Sequence, residues 1–497
     1  MRPVPPARPP RVNAVRSLSC SRTLRAQPRA HLRTRPQVAE LPPLPQRRLL
    51  DCILCCFAIA EHSEREMKDV VHERPDELIK GRAITGFRPV DEVDCGLSGH
   101  DVQVACRTDH YGCSDRLLLP MKALIAGAGI AGLATGIALR QARCEVEVFE
   151  RSSELREIGA AVVVWPNGTS ALKALGVQPR WREVERLLLC RQDGRILMRP
   201  PVGEMQRRYG SGMMVVHRAE LHTALLATLD HERIRLKAEV TAFTQDANGV
   251  AVNLAGGEIV EGDFLIGADG LRSAVRKALI GDGPPKYQGF TAWRGEIPAG
   301  RLPFEAGTGC NWWGRGGEFL AFPLTDGRIY WAGTANAPES TSPDPGRHKQ
   351  DALDRFRGWD PRVMEILSAT DEDSIIRTDI YDRDPLRTWS RGRVTLVGDA
   401  AHPMTPSQGQ GACQALEDAV ALATSLAGTW ETQQAFVAYE HRRLRVANRV
   451  VRRSRQASRS VQAVNPIACA LRNTLVAVMP SRMALMFLDT QFARAPA

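Results

Sequence analysis

Residues 122–150 constrain this chain more than any other stretch. Lys122-Ala-Leu-Ile-Ala126 is a short apolar run of the kind that parallel sheets bury. Gly127-Ala-Gly129-Ile-Ala-Gly132 follows at once, then residues 133–140 with helical composition. Cys144-Glu-Val-Glu-Val-Phe-Glu150 then gives a second strand closed by an acid. Strand, glycine turn, helix, strand and acid, in that order, predict a dinucleotide-binding unit. Gly127 permits the tight turn, Gly129 lets the backbone approach a pyrophosphate, and Gly132 lets helix and strand pack closely. The helix N-terminus adds free N–H groups and a positive dipole end for phosphates. Glu150 lies eighteen residues after Gly132, placed to accept bonds from ribose hydroxyls. Alone, the glycines also suit a turn in some other α/β unit; the two strands and the acid argue for the nucleotide.

The rest of the composition sets limits. At 497 residues the chain has room for two to four domains, and at 43% hydrophobic it can bury their cores. No apolar run approaches the roughly eighteen residues of a membrane helix. Residues 49–60, the longest early candidate, contain Asp51, so no transmembrane segment is expected. The formal charge of +10 belongs to a tail: residues 1–50 hold eleven Arg, no Lys and one acid, Glu40. The remainder is neutral, so no nucleic-acid partner is expected. The same fifty residues hold ten Pro, which prevents helix and leaves little apolar surface to bury. Residues 1–120 are therefore predicted to be a disordered extension or upstream sequence, with Met121 as the native start. Seven of the twelve Cys precede residue 121, without the spacing of a disulfide framework. Cys52-x-x-Cys55 has no second pair at zinc-finger distance, so no metal site is assigned. The body is expected to be cytoplasmic.

Two later segments repeat the theme of an apolar strand delivering an acidic turn. One is Asp263-Phe-Leu-Ile-Gly-Ala-Asp269-Gly270-Leu-Arg272-Ser273-Ala-Val-Arg276. The other is Arg393-Val-Thr-Leu-Val-Gly398-Asp399-Ala-Ala-His402-Pro403-Met-Thr-Pro406, continuing through Gln408-Gly409-Gln410-Gly411 into a helix containing Cys413, Glu417 and Asp418. Asp399 suits a ribityl hydroxyl, and the N–H groups around Gly409 and Cys413 suit an electron-rich ring edge.

In these three motifs, in this order, the chain resembles the class A flavoprotein monooxygenases, the superfamily of p-hydroxybenzoate, salicylate and urate hydroxylases and zeaxanthin epoxidase. The resemblance runs from Met121 to about Phe487 and is nearest the urate and salicylate hydroxylase branch. It implies an α/β fold: a Rossmann-like FAD domain of glutathione-reductase type, interrupted by a β-rich substrate domain and followed by C-terminal helices. The implied segments are 121–285 and 386–430 for FAD, 286–385 for substrate and 431–497 for the helices. It also implies cofactor contacts. Gly127, Gly129, Ala131, Gly132, Glu150 and Arg151 would hold the ADP half of FAD. Asp269 would serve FAD and NAD(P)H, and Asp399 the ribityl chain. Gly409, Gln410, Gly411, Ala412 and Cys413 would lie along the isoalloxazine. Val216-His217-Arg218-Ala-Glu-Leu221 resembles the family's Arg-x-x-Leu segment and puts Arg218 on the flavin. The stretch from Leu155 through Val163 to Gly168 resembles its second FAD loop.

The activity implied is monooxygenation: FAD reduced by NADH or NADPH, O₂ captured as a C4a-hydroperoxide, one oxygen atom passed to an aromatic or heteroaromatic ring or an electron-rich double bond. The protein would be a monomer or homodimer, and the residues name no catalytic base. Only one complete dinucleotide fingerprint is present, which fits a nicotinamide that binds transiently. A geranylgeranyl-reductase-like enzyme, a flavin-dependent halogenase and a non-enzymatic prenyl-GTPase carrier share the fold. Trp293-Arg-Gly-Glu-Ile297-Pro298 is a near miss to the halogenase motif, with Gly295 in place of its second Trp.

Ten of the 28 aromatics lie in residues 287–331. They either wall a ring pocket or pack under helices. Phe319 to Trp331 predicts a hairpin about Asp326-Gly327. Trp293 and Arg294, on the strand that enters the family's pocket, are the candidate substrate contacts; a structural salt bridge is the plain alternative for Arg294. Urate hydroxylases carry an Arg pair just before this strand, where this chain has Pro285-Lys286, which argues against urate as its substrate. Residues 442–459 include eight Arg interleaved with Val446, Val450 and Val451, a helix with one packed and one solvated basic face. His402 is expected to shape the flavin loop rather than to catalyse, and Cys413 has no His-partner pattern of a nucleophile.

Overall fold

The computed structural model describes residues 120–155, 161–298, 300, 305–339, 346–429 and 431–492, with side chains to 486. The expectations for residues 1–119, for Phe304 and for residues 156–160 of the second FAD loop lie outside them. Along the chain come β1 (Lys122–Ala126), α1 (Ile130–Gln141), β2 (Glu145–Phe149), β3 (Ala161–Val164), α2 (Pro166–Ala174), β4 (Arg182–Val184), β5 (Arg186–Arg191), β6 (Ile196–Met198) and α3 (Gly203–Tyr209). Then follow β7 (Met213–His217), α4 (Arg218–Thr228), β8 (Ile234–Arg235), β9 (Val240–Gln245), β10 (Val250–Leu254), β11 (Ile259–Gly262), β12 (Phe264–Gly267) and α5 (Ala274–Leu279). The middle holds β13 (Lys286–Ile297), β14 (Thr308–Trp313), β15 (Gly317–Pro323), β16 (Ile329–Asn336), α6 (His348–Arg355), α7 (Pro361–Ala369) and β17 (Ile376–Asp382). β18 (Val394–Leu396), α8 (Gly411–Ala427), α9 (Thr432–Val461), α10 (Pro466–Ala477) and α11 (Ser481–Phe492) complete it.

Three acid-bearing segments supply neighbouring strands of one parallel sheet, ordered β18-β12-β1-β2-β8. Ala123 to Ala126 are all buried, as continuous apolar runs predict for a strand covered on both faces. The parallel pairing puts the C-terminal ends of β1, β2, β12 and β18 at one edge, which is where Gly127, Glu150, Asp269 and Asp399 lie. Open parallel sheets bind ligands at that edge.

The middle of the chain builds a seven-stranded sheet, ordered β17-β13-β16-β15-β14-β5-β6. Its last two strands come from before residue 286. The expected hairpin is present as β15–β16, with Phe322 opposite Tyr330 and a left-handed Gly327 at its turn. Strand alternation gives the sheet two different faces. Trp293, Trp312, Phe319 and Trp331 face one way, into a cluster with Phe356, Val363, Ile366 and Leu367 of the α6–α7 region. A fully buried Phe of this kind stabilises the fold by roughly 1.5–3 kcal/mol. Phe322, Tyr330 and Ala332 face the other way and join the core of the parallel sheet.

α9 is one helix, with Val450 and Val451 buried and Arg442, Arg445, Arg449 and Arg452 exposed. Two of its arginines break the amphipathic expectation. Arg443 is buried, and Arg455 pairs with Asp382 across a 2.7 Å bond. Among the described residues no helix is long and apolar enough to cross a membrane.

Candidate cofactor and substrate site

The first glycine turn is a backbone device. Gly127 has φ of +100°, and a Cβ there would meet the Ala268 carbonyl oxygen at 2.6 Å. A Cβ on Gly132 would sit 1.9 Å from the Gly127 carbonyl oxygen. Gly129, the N-cap of α1, has nothing within 4 Å of its would-be Cβ and no side-chain cap, so the first turn of α1 presents open N–H groups. Ala131 is half-buried beside it. Glu150 Oε2 accepts from Ala128 N at 2.9 Å, and Oε1 from Ser152 N at 2.9 Å. Burial opposes ionisation of Glu150, but these N–H groups, the Ser152 hydroxyl and Arg151 hold its carboxyl below its ordinary value. Arg151 itself is exposed.

Asp269 caps α5, accepting from Ala274 N at 2.7 Å and Val275 N at 3.2 Å, with Ser273 Oγ as a further donor. Burial pushes its carboxyl up against those bonds. From the same helix the buried Arg276 donates to the carbonyls of Ala400 and Ala401 at 3.1 and 3.0 Å, tying the second motif to the third.

The third motif is held by charge. Asp418 Oδ2 accepts from Gly398 N at 3.0 Å and from His402 Nε2 at 2.5 Å, so one carboxylate clamps both ends of the turn that carries Asp399. Arg443 Nε donates to Asp418 Oδ1 at 2.9 Å, and its other nitrogens reach Gln414 Oε1 at 2.8 Å and Glu417 Oε2 at 3.3 Å. Burial opposes ionisation of Asp418, but His402 and Arg443 hold its carboxyl below the ordinary range. Asp399 keeps a water-accessible side chain although protein surrounds it on all sides. A side chain that lines a deep cleft has both properties. Burial pushes its carboxyl up, with His402 and Arg218 drawing it back. Arg218 starts α4, whose buried His222 bonds the Ala128 carbonyl at 2.9 Å.

The loop beyond it carries a left-handed Gly409, whose would-be Cβ faces Val163 of β3 at 3.4 Å. Trp165 Nε1 donates to the Gln408 carbonyl at 3.1 Å, and Asn167 Nδ2 to Gln410 Oε1 at 3.0 Å. Gly411 has nothing within 4 Å of a would-be Cβ, and Gln410 leaves α8 without a side-chain cap. Ala412 is half-buried. Cys413 is buried, its sulfur accepts from Trp165 N at 3.4 Å, and burial pushes its thiol up to about 12, which suits a packing residue and not a nucleophile. Among the described residues, Gln408 Oε1, Gln410 Nε2, Asn167 Oδ1 and His402 Nδ1 are buried without a hydrogen-bond partner. Two uncapped helix N-termini, an accessible acid and orphaned polar atoms beside a glycine loop fit FAD.

The two candidate substrate contacts lie on opposite faces of the seven-stranded sheet. Trp293 is 2% exposed and packs into the α6–α7 cluster. Its neighbour Arg294 alternates to the other face and bonds Tyr330. Sequence reading could not say which was which, since it had no register. Lys286 pairs with Asp384 at the surface, 2.5 Å apart. The Asp418–Arg443 clamp and the Arg276 tie were missed, because their partners lie far apart in sequence.

A family model described as an FAD binding domain matches residues 120–292 and 358–454. Aurachin C monooxygenase/isomerase of Stigmatella aurantiaca is 38% identical over 365 residues, covering 72% of this chain and 94% of that protein. The FAD-dependent urate hydroxylase of Klebsiella pneumoniae is 34% identical over 331 residues, covering 65% and 86%. The crystal structure of Klebsiella pneumoniae HpxO complexed with FAD and uric acid matches with a TM-score of 0.71 at 29% identity, covering 75% of this chain and 97% of that one.

Proposed function

We propose a function from one premise: the chain belongs to the family of FAD-dependent aromatic hydroxylases. The reaction inferred is ring-H + NAD(P)H + H⁺ + O₂ giving ring-OH + NAD(P)⁺ + H₂O. FAD, when bound, supplies the redox chemistry between nicotinamide, O₂ and ring. The residues supply position. The N–H groups at Gly129, Ala131 and Gly132 take the pyrophosphate, with Glu150 on the ribose and Arg151 beside it. Asp269 orders α5 at the same edge. Asp399 takes the ribityl hydroxyls, and Gly409, Gln410, Gly411, Ala412 and Cys413 border the ring, with Val163 and Arg218 on its other sides. Arg294 lines the substrate side. NAD(P)H as reductant and the buried, unpaired Cys144, Cys190, Cys310, Cys413 and Cys469 both suit the cytoplasm.

The observation that carries this reading is Asp399, a water-accessible carboxylate just past the C-terminal end of β18, under the influence of His402 and Arg218. The test is NAD(P)H oxidation by the FAD-loaded chain against phenols, aromatic acids, hydroxylated N-heterocycles and purines under ¹⁸O₂. One compound is expected to stimulate oxidation and to gain one labelled oxygen. Oxidation that is independent of every ligand, or that continues without O₂, would favour a reductase instead.

A further inference from the structure

We propose that the outer face of α10 and the arginines around it form a docking surface for an anionic lipid membrane, on which the chain lies without crossing it. The inference is independent of the flavin chemistry.

The helix is turned inside out. A surface helix ordinarily buries its apolar side and gives its charges to water. On α10 the side that meets the protein carries Arg472, whose guanidinium donates to the carbonyls of Ser460, Val461 and Gly314 at 2.9, 3.3 and 3.1 Å and lies over the Trp313 ring. Cys469 is buried on the same side, and its thiol donates to the Ala463 carbonyl at 3.2 Å. The opposite side carries Ile467, Leu471, Thr474 and Val478, at the spacing that keeps side chains on one face of a helix, and all four are exposed. Val464 stands exposed just before the helix. Of the eight large apolar side chains exposed among the described residues, four lie within residues 464–478, and Ile467 is 73% exposed. Apolar side chains scattered singly over a surface call for no explanation, but a cluster marks a contact.

Charge decides what covers it. Residues 441–488 hold ten Arg, no Lys and no acid. Arg443 and Arg455 pair inward, with Asp418 and Asp382. Arg442, Arg445, Arg449, Arg452 and Arg459 are exposed along α9 as it runs up to α10, and Arg482 is exposed just past the end of α10. Arg315 is exposed beside the stripe, its Nε donating to the Val464 carbonyl at 3.4 Å. A second copy of the chain would set this charge against itself, and residues 1–50, with eleven Arg and one acid, offer no complement either. Four aliphatic side chains also fall short of the roughly 20–30 residues a side of a stable protein interface, whose anchors are aromatic or Arg side chains seated in pockets. An anionic bilayer needs no fitted partner surface: the apolar side chains enter the acyl boundary while the arginines meet lipid phosphates.

The test is co-sedimentation of the FAD-loaded full chain with vesicles of phosphatidylcholine alone and with vesicles that also contain phosphatidylglycerol. The anionic vesicles are expected to take up the chain at least about tenfold more strongly, and added salt to weaken the uptake. Ile467→Asp/Leu471→Asp and its uncharged counterpart Ile467→Ser/Leu471→Ser should each lower uptake about tenfold, with thermal midpoint and NAD(P)H oxidation unchanged. Arg315→Gln/Arg482→Gln should lower it by a smaller factor. Equal uptake of the parent and both stripe variants would mean that the arginine-rich residues 1–50 alone bind lipid, and would overturn the proposal. So would uptake that ignores lipid charge, or a dimer in sedimentation velocity that the stripe variants dissociate, which would give the face to a second copy.

Discussion

The two glycine turns meet the same requirement, an exposed run of N–H groups beside a cofactor, by different means. At residues 127–132 missing side chains set the shape, while Glu150 and His222 bond only the N–H and the carbonyl of Ala128. Gly127 and Gly132 interlock carbonyl against Cα, with no charged side chain between them. At residues 398–411 the turn is tied down from outside, by Asp418 on the next helix, Arg443 on the one after and Arg276 from a different motif. A turn made by missing side chains has no tolerance for added volume. The second turn has a crowded glycine too, Gly398, whose would-be Cβ meets Ala131 Cβ at 2.7 Å, but it depends besides on charge and fails with the loss of a partner.

The largest effect expected follows from the first of these. Gly132→Ala puts a methyl group 1.9 Å from a backbone oxygen, and no flexible side chain is there to give way. We expect no flavin-bound protein after purification, read from visible absorbance and size exclusion. Normal flavin content in this variant would mean that the interlock is not what shapes the turn.

Next in size is Arg443→Met. It leaves Asp418 and Glu417 without their buried cation, at a cost of roughly 3–5 kcal/mol by urea unfolding. Removing the charge as well, in Asp418→Asn/Arg443→Met, should recover part of the loss, since the penalty lies in the uncompensated carboxylates. Arg449→Met, on the exposed face of α9, is the control and should change stability by no more than about 0.5 kcal/mol. If the Arg443 and Arg449 variants behave alike, the second turn does not depend on charge.

This difference also decides what the sequence made legible. The first turn is local: strand, three glycines, helix and acid lie within residues 122–150, so spacing alone exposes it. The parallel sheet and the β15–β16 hairpin were legible for the same reason. Asp399 and the Gly409 loop could be found as a motif, but the clamp that holds them could not. Arg443 looks like one more arginine in a basic helix until burial singles it out. Trp293 and Arg294 were adjacent candidates, and only the pairing of β13 with β16 assigns them to opposite faces. The recruitment of β5 and β6 into the seven-stranded sheet had no local signal, because β5 pairs in parallel with a strand more than a hundred residues away.

A third variant separates shape from function within the first turn. Gly129 has ordinary backbone angles and open space at its Cβ position, unlike Gly127 and Gly132. Gly129→Ala should therefore fold with a thermal midpoint near that of the parent. The methyl group would stand where the pyrophosphate approaches, and FAD affinity should fall about tenfold or more by fluorescence titration. Unchanged affinity would move the phosphates away from this helix end.

The smallest effect distinguishes the two carboxylates of the second turn by the sign of their pH dependence. Asp418 is held below its ordinary value of 3.8, so the folded state binds its proton less readily than the unfolded chain. Its contribution is complete above that ordinary value and is lost as pH falls through the lower, folded one. Asp399 is pushed above 3.8, so the folded state holds its proton longer. Stability then declines as pH rises from 3.8 through the folded value, and the penalty stays at neutral pH. In flavin-free protein at about pH 7, Asp418→Asn should lower the melting temperature and Asp399→Asn should raise it slightly, a small rise because water reaches that side chain. Near pH 3 both differences should shrink. With FAD present, Asp399→Asn should lose its advantage, because the residue that strains the empty turn is the one proposed to hold the ribityl chain. A melting temperature that falls with Asp399→Asn in the flavin-free chain would make Asp399 a second structural clamp, and would leave the cleft without its cofactor ligand.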